Sequence, residues 1–231
     1  MNTPPTNDKP ITNAASLDNL SQQLLANDNP TTKPIPPLEK WQPEFCGMMD
    51  LTIKANGEWW HAGRKIERDA MVTLFSRVLW AEVDTAGAVT YFLKTPVEKL
   101  QIAVEDAPLL ITQYDYVAQN DKRVLHLITA QGERVTVDAA HPLQFGLPFH
   151  LAQQHTDADV TNTKTCSEQA EQPYVKVRQN GDSAIWALVH RNVFYQLANE
   201  GELVEQGDGV TLRLPNGDTV IELSMPYDDR A

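Results

Sequence analysis

A cysteine and a histidine are the best nucleophile and base that this sequence offers. Cys46 stands in an aromatic- and methionine-rich run, and His141 stands in the run Asp138–Leu143. A thiol attacks a substrate efficiently only when a nearby base or positive charge favours its thiolate form. Nothing in the spacing brings the two residues together, and a cysteine between Phe45 and Gly47 also fits a buried packing role. The pair predicts a thiol-dependent hydrolase or transferase as an alternative function.

Three arginines indicate a site for an anion. Arg64 and Arg68 flank the start of the first predicted helix of the folded body, where backbone N–H groups already favour negative charge. Arg191 occupies the matching position in the second half of the chain. An arginine also commonly pairs with an acid across a domain contact, so this second role stays open for each of them. We predict the three arginines as ligand-binding residues.

Charged residues beside a proline and one tryptophan add further candidates. Glu98 and Lys99 follow a Thr-Pro-Val run, and Trp41 opens the aromatic-rich segment before the first strand. A carboxylate at the end of a strand can transfer protons, although acids in turns more often accept hydrogen bonds from backbone N–H groups. We include these three residues in the predicted ligand site. The spacing of the histidines and cysteines fits no zinc site, and we predict no metal and no cofactor.

The composition indicates a soluble globular protein. Of the 231 residues, 42% are hydrophobic and 22% are charged, which is enough for a core in one or two small domains. The formal net charge of -12 opposes binding to nucleic acid and to anionic membranes. Residues 1–30 lack a secretory signal pattern, no apolar run could cross a membrane, and the two cysteines make no disulfide framework. We therefore expect a cytoplasmic protein.

Proline, polar and apolar patterns divide the chain into five segments. The first is too polar and proline-rich to offset the entropy of ordering, except for one short amphipathic helix at 16–25. A hairpin opens the body, a helix is predicted over 67–80, and strands follow to 137 as an antiparallel meander. The predicted segments are a disordered leader (1–37), a first domain (38–150), a polar linker (151–172), a second domain (173–225) and an acidic tail (226–231).

The second domain repeats the opening of the first. Ile66–Leu74 resembles Val189–Leu197 at an offset of 123 (191 minus 68), and the two Asn-Gly turns are offset by 124 (180 minus 56). This pattern predicts an α+β fold of two related units, each with a hairpin, a helix and an antiparallel sheet. A cleft between related halves is a common place for small-molecule binding, although both helices could simply cover their own sheets.

Several short motifs run in a fixed order along the body. They are Glu39-Lys40-Trp41, Phe45-Cys46-Gly47, Thr95-Pro96-Val97-Glu98-Lys99, Glu105-Asp106-Ala107-Pro108, His141-Pro142-Leu143 and Pro173-Tyr174-Val175. Together they resemble an uncharacterised bacterial family, domain of unknown function twelve eighty-five. The resemblance implies a compact α+β protein with two related repeats, no established activity and a suggested part in signal transduction. The leader and the polar segment 151–172 depart from the family pattern.

The sequence favours a binding or regulatory protein over an enzyme, because no complete catalytic set is present. We expect it to recognise a small anionic ligand or a protein partner in the cleft between its halves, and we expect neither nucleic acid nor a membrane as a partner. One alternative is the thiol-dependent enzyme that would use Cys46 and His141. The other is a purely structural interaction protein, which an exposed apolar patch in place of a concave pocket would distinguish.

Overall fold

Strands make up most of the described chain. This computed structural model describes residues 35–146 and 172–226, apart from positions 86, 182, 207 and 208. Within those residues a 3-10 turn covers Leu38–Lys40, and the helices are α1 (Asp69–Ser76) and α2 (Arg191–Glu200). The strands in chain order are β1 (Phe45–Ile53), β2 (Trp59–His61), β3 (Arg64–Lys65), β4 (Leu79–Val83), β5 (Val89–Lys94), β6 (Lys99–Val104), β7 (Leu109–Gln119), β8 (Lys122–Thr129), β9 (Arg134–Thr136), β10 (Leu143–Phe145), β11 (Pro173–Asn180), β12 (Ser183–Val189), β13 (Glu202–Gln206), β14 (Gly209–Asn216) and β15 (Thr219–Pro226).

The strands form three sheets, which we call A, B and C. Sheet A has the order β3-β2-β1-β6-β5-β4, and sheet B has the order β10-β11-β12-β7-β8-β9. Each of these two sheets has a parallel pair at its centre, β1 with β6 and β12 with β7, while their other pairs are antiparallel. Sheet C consists of β13, β14 and β15 and packs with α2 against sheet B. Strand β4 packs sheet A against β11 and β12 of sheet B.

The fold is mostly β, so the predicted α+β class gives the helices too much weight. Sheets A and B are similar six-stranded mixed sheets that pack together, and the repeat-like architecture is confirmed at this coarse level. Their chain orders differ, because the first strand of the hairpin makes the parallel pair in sheet A and the second strand makes it in sheet B. The strands that follow α2 form the separate sheet C and do not extend sheet B.

The first helix is shorter than its apolar stripe suggested. The helix predicted over 67–80 ends at Ser76, and Leu79 and Trp80 instead begin β4, where Leu79 pairs with Leu93 of β5. A short buried apolar run fits a helix or a strand equally well, and pairing with a neighbouring strand decides between them. The prediction was therefore wrong for the last turn.

The predicted single meander breaks between β6 and β7. Each of these strands pairs with a parallel partner, and they do not pair with each other. As a result β7 to β10 share sheet B with β11 and β12, which lie beyond the predicted linker. The predicted domain boundary between 150 and 173 therefore does not separate the sheets, whereas a boundary near 107 does.

The Asn-Gly turn predicted at the start of the body is present. Gly57 has a φ of +82°, which glycine adopts without strain, and the Asn56 side chain accepts a hydrogen bond from Glu58 N at 3.1 Å. The two tryptophans that follow point to opposite faces of the strand. Trp59 is buried in the core, and Trp60 is partly exposed and donates from Nε1 to the Glu58 carboxylate.

A buried polar network lies where the two halves of the chain meet. Asp106 stands between β6 and β7, and the hydroxyl of Tyr174 in β11 donates to its carboxylate at 2.8 Å. Burial raises the pKa of Tyr174, and the Asp106 charge raises it further. The same two causes raise the pKa of Tyr91 in β5. Both phenols therefore stay neutral at physiological pH, and Tyr174 remains a hydrogen-bond donor.

Removing the Tyr174 hydroxyl is expected to destabilise the protein. Tyr174→Phe takes a donor from the buried Asp106 carboxylate, so we expect the free energy of unfolding to fall by about 2 kcal/mol. Tyr114→Phe is the matched control, because its hydroxyl donates to Glu200 at 2.7 Å in an exposed pair, and we expect it to cost less than about 1 kcal/mol. Denaturant unfolding measures both variants. Equal losses of the free energy of unfolding in the two variants would show that burial of the Asp106 network adds nothing to stability.

Arg178 of β11 joins sheet B to the end of α1. Its Nε and Nη2 atoms donate to the Glu133 carboxylate at 2.9 and 2.8 Å, and Nη2 also donates to the backbone oxygen of Ser76 at 2.8 Å. Glu133 lies in the turn between β8 and β9. The side chains of Arg178 and Glu133 are only 9% and 22% exposed, so water screens the pair weakly.

Asn216 at the end of β14 attaches sheet C to sheet B. Its side-chain oxygen accepts a hydrogen bond from Leu125 N at 2.8 Å, and its side-chain nitrogen donates to Val137 O at 2.7 Å. Asn216 is buried, so both backbone groups depend on it for a partner away from water. One amide side chain thus bonds to the backbone of Leu125 in β8 and of Val137, the residue after β9.

Several predicted segments fall outside the described residues. They are the leader as far as position 34, including the amphipathic helix at 16–25, the polar linker as far as 171 and the acidic tail after 226.

Candidate functional site

One face of sheet A carries aromatic and lysine side chains. Successive side chains of a strand point to opposite faces, and on this sheet the other face packs into the core. Cross-strand register places Lys94, Lys99 and Phe45 in one row and Trp80, Phe92, Gln101 and Met48 in the next. We define the aromatic–lysine face by these residues together with Glu82 of β4.

The apolar part of this face is exposed to solvent. Phe45 and Met48 of β1 are 56% and 55% exposed, and Val97, in the turn between β5 and β6, is 61% exposed. The ring of Phe45 meets that of Phe92 edge to face, with 6.3 Å between the centroids. Single exposed apolar residues are common, whereas Phe45 and Met48 lie in neighbouring rows of the same sheet face.

A salt bridge holds the centre of the face. The ammonium of Lys99 donates to both oxygens of Glu82, at 3.0 and 3.1 Å, and lies 4.8 Å from the ring centroid of Phe92. The indole nitrogen of Trp80 donates to the same carboxylate at 3.0 Å. Glu82 therefore accepts three hydrogen bonds, two from Lys99 and one from Trp80.

Lys94 carries a charge that is buried and only weakly compensated. The residue is 5% exposed, and its Nζ atom lies 3.7 Å from the ring centroid of Trp80. Among the residues that the structure describes, no atom accepts a hydrogen bond from this ammonium. Burial lowers the pKa of Lys94; the charges of Glu82 and Glu39 oppose this shift and that of Lys99 adds to it. The aromatic ring supplies the closest favourable contact.

The stability cost of this buried charge should depend on pH. A lowered pKa in the folded state means that the unfolded chain binds the proton more tightly, so protonation of Lys94 favours unfolding. This penalty is fully present below the folded-state pKa and disappears above the ordinary value of 10.5. The Lys94→Met variant has no charge at this position and therefore lacks the penalty. We expect its free energy of unfolding, relative to that of wild type, to decline as pH rises through that window. Unfolding measured from neutral to alkaline pH tests this, and a growing difference would contradict it.

The structure brings one of the three non-arginine candidates into this face. Lys99 belongs to it directly. Glu98 precedes Lys99 in the turn, where its backbone nitrogen donates to the Thr95 hydroxyl at 2.9 Å and its backbone oxygen accepts from Thr95 N at 2.8 Å. Trp41 follows the 3-10 turn and packs, partly buried, against the core. Glu98 and Trp41 thus have local structural contacts, and their ligand roles stay predictions.

The predicted arginines stand apart from one another in the fold. Arg64 lies in β3, Arg68 is the residue before α1, and Arg191 is the first residue of α2; all three are exposed. Arg68 and Arg191 are not equivalent in their helices, because His190 caps α2 by accepting a hydrogen bond from Asn192 N. In the described part of the chain no ion pair or hydrogen bond of their side chains joins these arginines into one site.

The predicted nucleophile and base have separate partners. The Cys46 thiol donates to the backbone oxygen of Glu44 at 3.3 Å, while His141 Nδ1 lies 3.0 Å from the Asp138 carboxylate. Backbone N–H groups of Ala140 and His141 also donate to that carboxylate, and these contacts lower the pKa of Asp138 against the effect of burial. No hydrogen bond between described residues links Cys46 to His141, so the geometry adds no support for a thiol-dependent enzyme.

Sequence reasoning missed Lys94, Trp80 and Phe92. One signal was available, because Lys94 and Lys99 are separated by a four-residue turn and such a turn places its flanking residues opposite each other. The tryptophan could not be assigned to this face, because it was predicted to lie in a helix. The face exists only once β4, β5, β6 and β1 are known to be neighbours.

An acidic groove lies on sheet C, away from this face. It has a volume of about 630 Å³, and Glu200, Glu202, Glu222 and Arg213 are among its lining residues. Arg213 already pairs with Glu222, and Glu200 accepts hydrogen bonds from Tyr114 and Arg123. Within residues 35–146 and 172–226, no group of three or more histidine, cysteine or acidic side chains could hold a metal ion. Neither described helix is long and apolar enough to cross a bilayer.

The fold is that of a mostly β protein built around two similar six-stranded sheets. Comparison with solved structures shows likeness to a DUF1285 family protein from Silicibacter pomeroyi, with 28% identity, a TM-score of 0.64, and coverage of 90% of this chain and 94% of that one. The chain is also similar to a DUF1285 family protein from Shewanella baltica, with 25% identity, a TM-score of 0.43, and coverage of 67% and 94%. No curated protein matches the chain.

Residues 36–107 match the family model described as domain of unknown function (DUF1285), N-terminal domain. These residues contain the 3-10 turn, α1 and all of sheet A, and the match ends between β6 and β7. Residues 36–107 are thus a DUF1285 N-terminal domain, and the family resemblance predicted from the sequence is confirmed. The aromatic–lysine face lies entirely within this domain.

Proposed function

We propose that this chain is a protein-interaction module that binds a partner through the aromatic–lysine face. The supporting observation is the exposure of Phe45 and Met48 beside the buried charge of Lys94 on one sheet face. Aromatic and methionine side chains are enriched at protein interfaces, where they supply most of the binding energy from a small central cluster. An open sheet face suits a macromolecular partner better than a small molecule, which needs a concave site.

The role we propose is regulatory. The three predicted arginines have no common site in the fold, and Cys46 and His141 have no contact, so the face on sheet A is the better-supported place for recognition. A partner that binds this face would transmit a signal without a catalysed reaction, as in signal transduction. We propose that this binding takes place in the cytoplasm. The aromatic–lysine face would then be the surface that the partner recognises.

Site-specific photocrosslinking tests this function. A benzophenone amino acid at position 45 should give discrete crosslinked products in cells that naturally contain the protein. The matched control is the same amino acid at position 195, because Tyr195 of α2 is also 56% exposed but lies outside the face. Met48→Asp, which places a charge in the apolar part of the face, should abolish the products from position 45.

The positions from which crosslinked products form decide whether the proposed function holds. Products that form from 45, not from 195, and disappear with Met48→Asp support the module. Identical products from both positions, or none from position 45, would exclude the aromatic–lysine face as a partner surface.

A further inference from the structure

We propose that the partner segment is acidic and amphipathic, with a carboxylate that meets Lys94 and apolar side chains that cover Phe45 and Met48. This inference rests on the proposed function and names the chemistry of the occupant. The observations behind it are the uncompensated charge of Lys94 and its place in the same row as Phe45.

The geometry puts the lysine inside any footprint that covers the phenylalanine. Lys94, Lys99 and Phe45 lie opposite one another on three adjacent strands. Neighbouring strands are about 4.8 Å apart, so Phe45 and Lys94 are separated by roughly 10 Å. Phe92 is already buried beneath this row, so a segment that covers the exposed ring of Phe45 beside it also lies over the remaining exposed edge of Lys94.

Covering Lys94 removes the water that now solvates its exposed edge. Glu82 already accepts hydrogen bonds from Lys99 and Trp80, and no described residue accepts one from Lys94. An ammonium that is buried without an acceptor is strongly unfavourable, so the bound partner must provide one. A carboxylate is the most favourable acceptor for it, because charge-assisted hydrogen bonds are shorter and stronger than neutral ones.

The net charge of the whole protein favours a basic partner over an acidic one. A net charge of -12 attracts basic segments and repels acidic ones at long range. At about 0.15 M salt this field is screened beyond roughly 8 Å, whereas a direct contact with Lys94 is not. Selection of acidic segments under these conditions would therefore report the local site, and selection of basic ones would report the overall field.

Panning a phage-displayed library of random dodecapeptides on the purified full-length protein tests the inference. Selection at about 0.15 M salt should enrich peptides that combine Asp or Glu with Leu, Phe or Trp. Fluorescence anisotropy then gives the affinity of an enriched peptide. We expect Lys94→Met to weaken it by about tenfold or more, the contribution of a charge-assisted hydrogen bond.

Two variants separate the charge of Lys94 from general effects. Lys94→Arg keeps the positive charge and should restore most of the affinity. Lys122→Met removes an exposed lysine that pairs with Asp218 on another part of the surface, and should leave the affinity unchanged. Thermal unfolding of each variant confirms that it is folded.

Three results would overturn the inference: no acidic bias among enriched peptides, equal binding to Lys94→Met, or no enrichment at all. If any of these occurs while position 45 still gives its specific crosslinks, the partner binds by apolar contacts without a carboxylate on Lys94. The proposed function then stands and only this inference fails.

Discussion

Arg178→Ala is expected to lower the free energy of unfolding by about 3 kcal/mol, as the loss of one partner of a largely buried ion pair does. The substitution leaves the carboxylate of Glu133, only 22% exposed, without its two-point partner, and it also removes the hydrogen bond to Ser76 O. Because these contacts join α1 to sheet B, the loss weakens the packing of the two halves. Denaturant unfolding at neutral pH measures the change.

The surface pair of Arg213 and Glu222 provides the matched control. Its nitrogen–oxygen distance is also 2.9 Å, but the side chains are 38% and 54% exposed. We expect Arg213→Ala to cost less than about 1 kcal/mol, as exposed ion pairs do. The double substitution of Arg178 and Glu133 by methionine should recover part of the loss, since it removes both charges of the pair. Similar losses for Arg178→Ala and Arg213→Ala would contradict the argument.

Asn216→Ala is expected to lower the free energy of unfolding by about 3 kcal/mol. The change leaves two buried backbone groups without a partner, Leu125 N and Val137 O, and each such loss costs about 1–3 kcal/mol. It also removes one of the links between sheet C and sheet B. Equilibrium unfolding gives the size of the loss, and hydrogen exchange at Leu125 N should speed up because this amide loses its acceptor.

Asn56→Ala is the control for this deletion. Asn56 is exposed in the first hairpin turn and accepts one hydrogen bond from Glu58 N, which water can replace. We expect a loss below about 1 kcal/mol for this variant. If Asn216→Ala were as mild as Asn56→Ala, the attachment of sheet C would rest on its other contacts with sheet B, such as the hydrogen bond from Gly217 N to Arg123 O.

Local patterns predicted most strands and turns correctly. One of the strand-like runs predicted before position 137 became β5, and the Asn-Gly sequences at 56–57 and 180–181 lie where two antiparallel strands turn. Such patterns succeed because turn chemistry and side-chain alternation act within a few residues. They failed at Leu79 and Trp80, where a buried apolar run paired with β5 and did not continue the helix.

The same patterns could not predict which strands pair with each other in a sheet. The parallel pair of β1 with β6 joins Ile53 to Val104, and nothing in the composition of either strand specifies that partner. The candidate site depends on this pairing. Residue types alone led to Cys46, His141 and the arginines, whereas the aromatic–lysine face arises from register between four strands. Only Lys99 was found from the sequence and also belongs to the face.

The order of synthesis acts differently on the two parallel pairs. Sheet A is complete once the chain has been made as far as Val104, so it can close before sheet B begins. Strand β7 ends at Gln119, but its parallel partner begins at Ser183. While that interval is being translated, one edge of β7 has unpaired backbone groups that other chains could bind. Aggregation of nascent chains should therefore concentrate at this edge, and chaperones that cover exposed strands would protect it until β12 emerges from the ribosome.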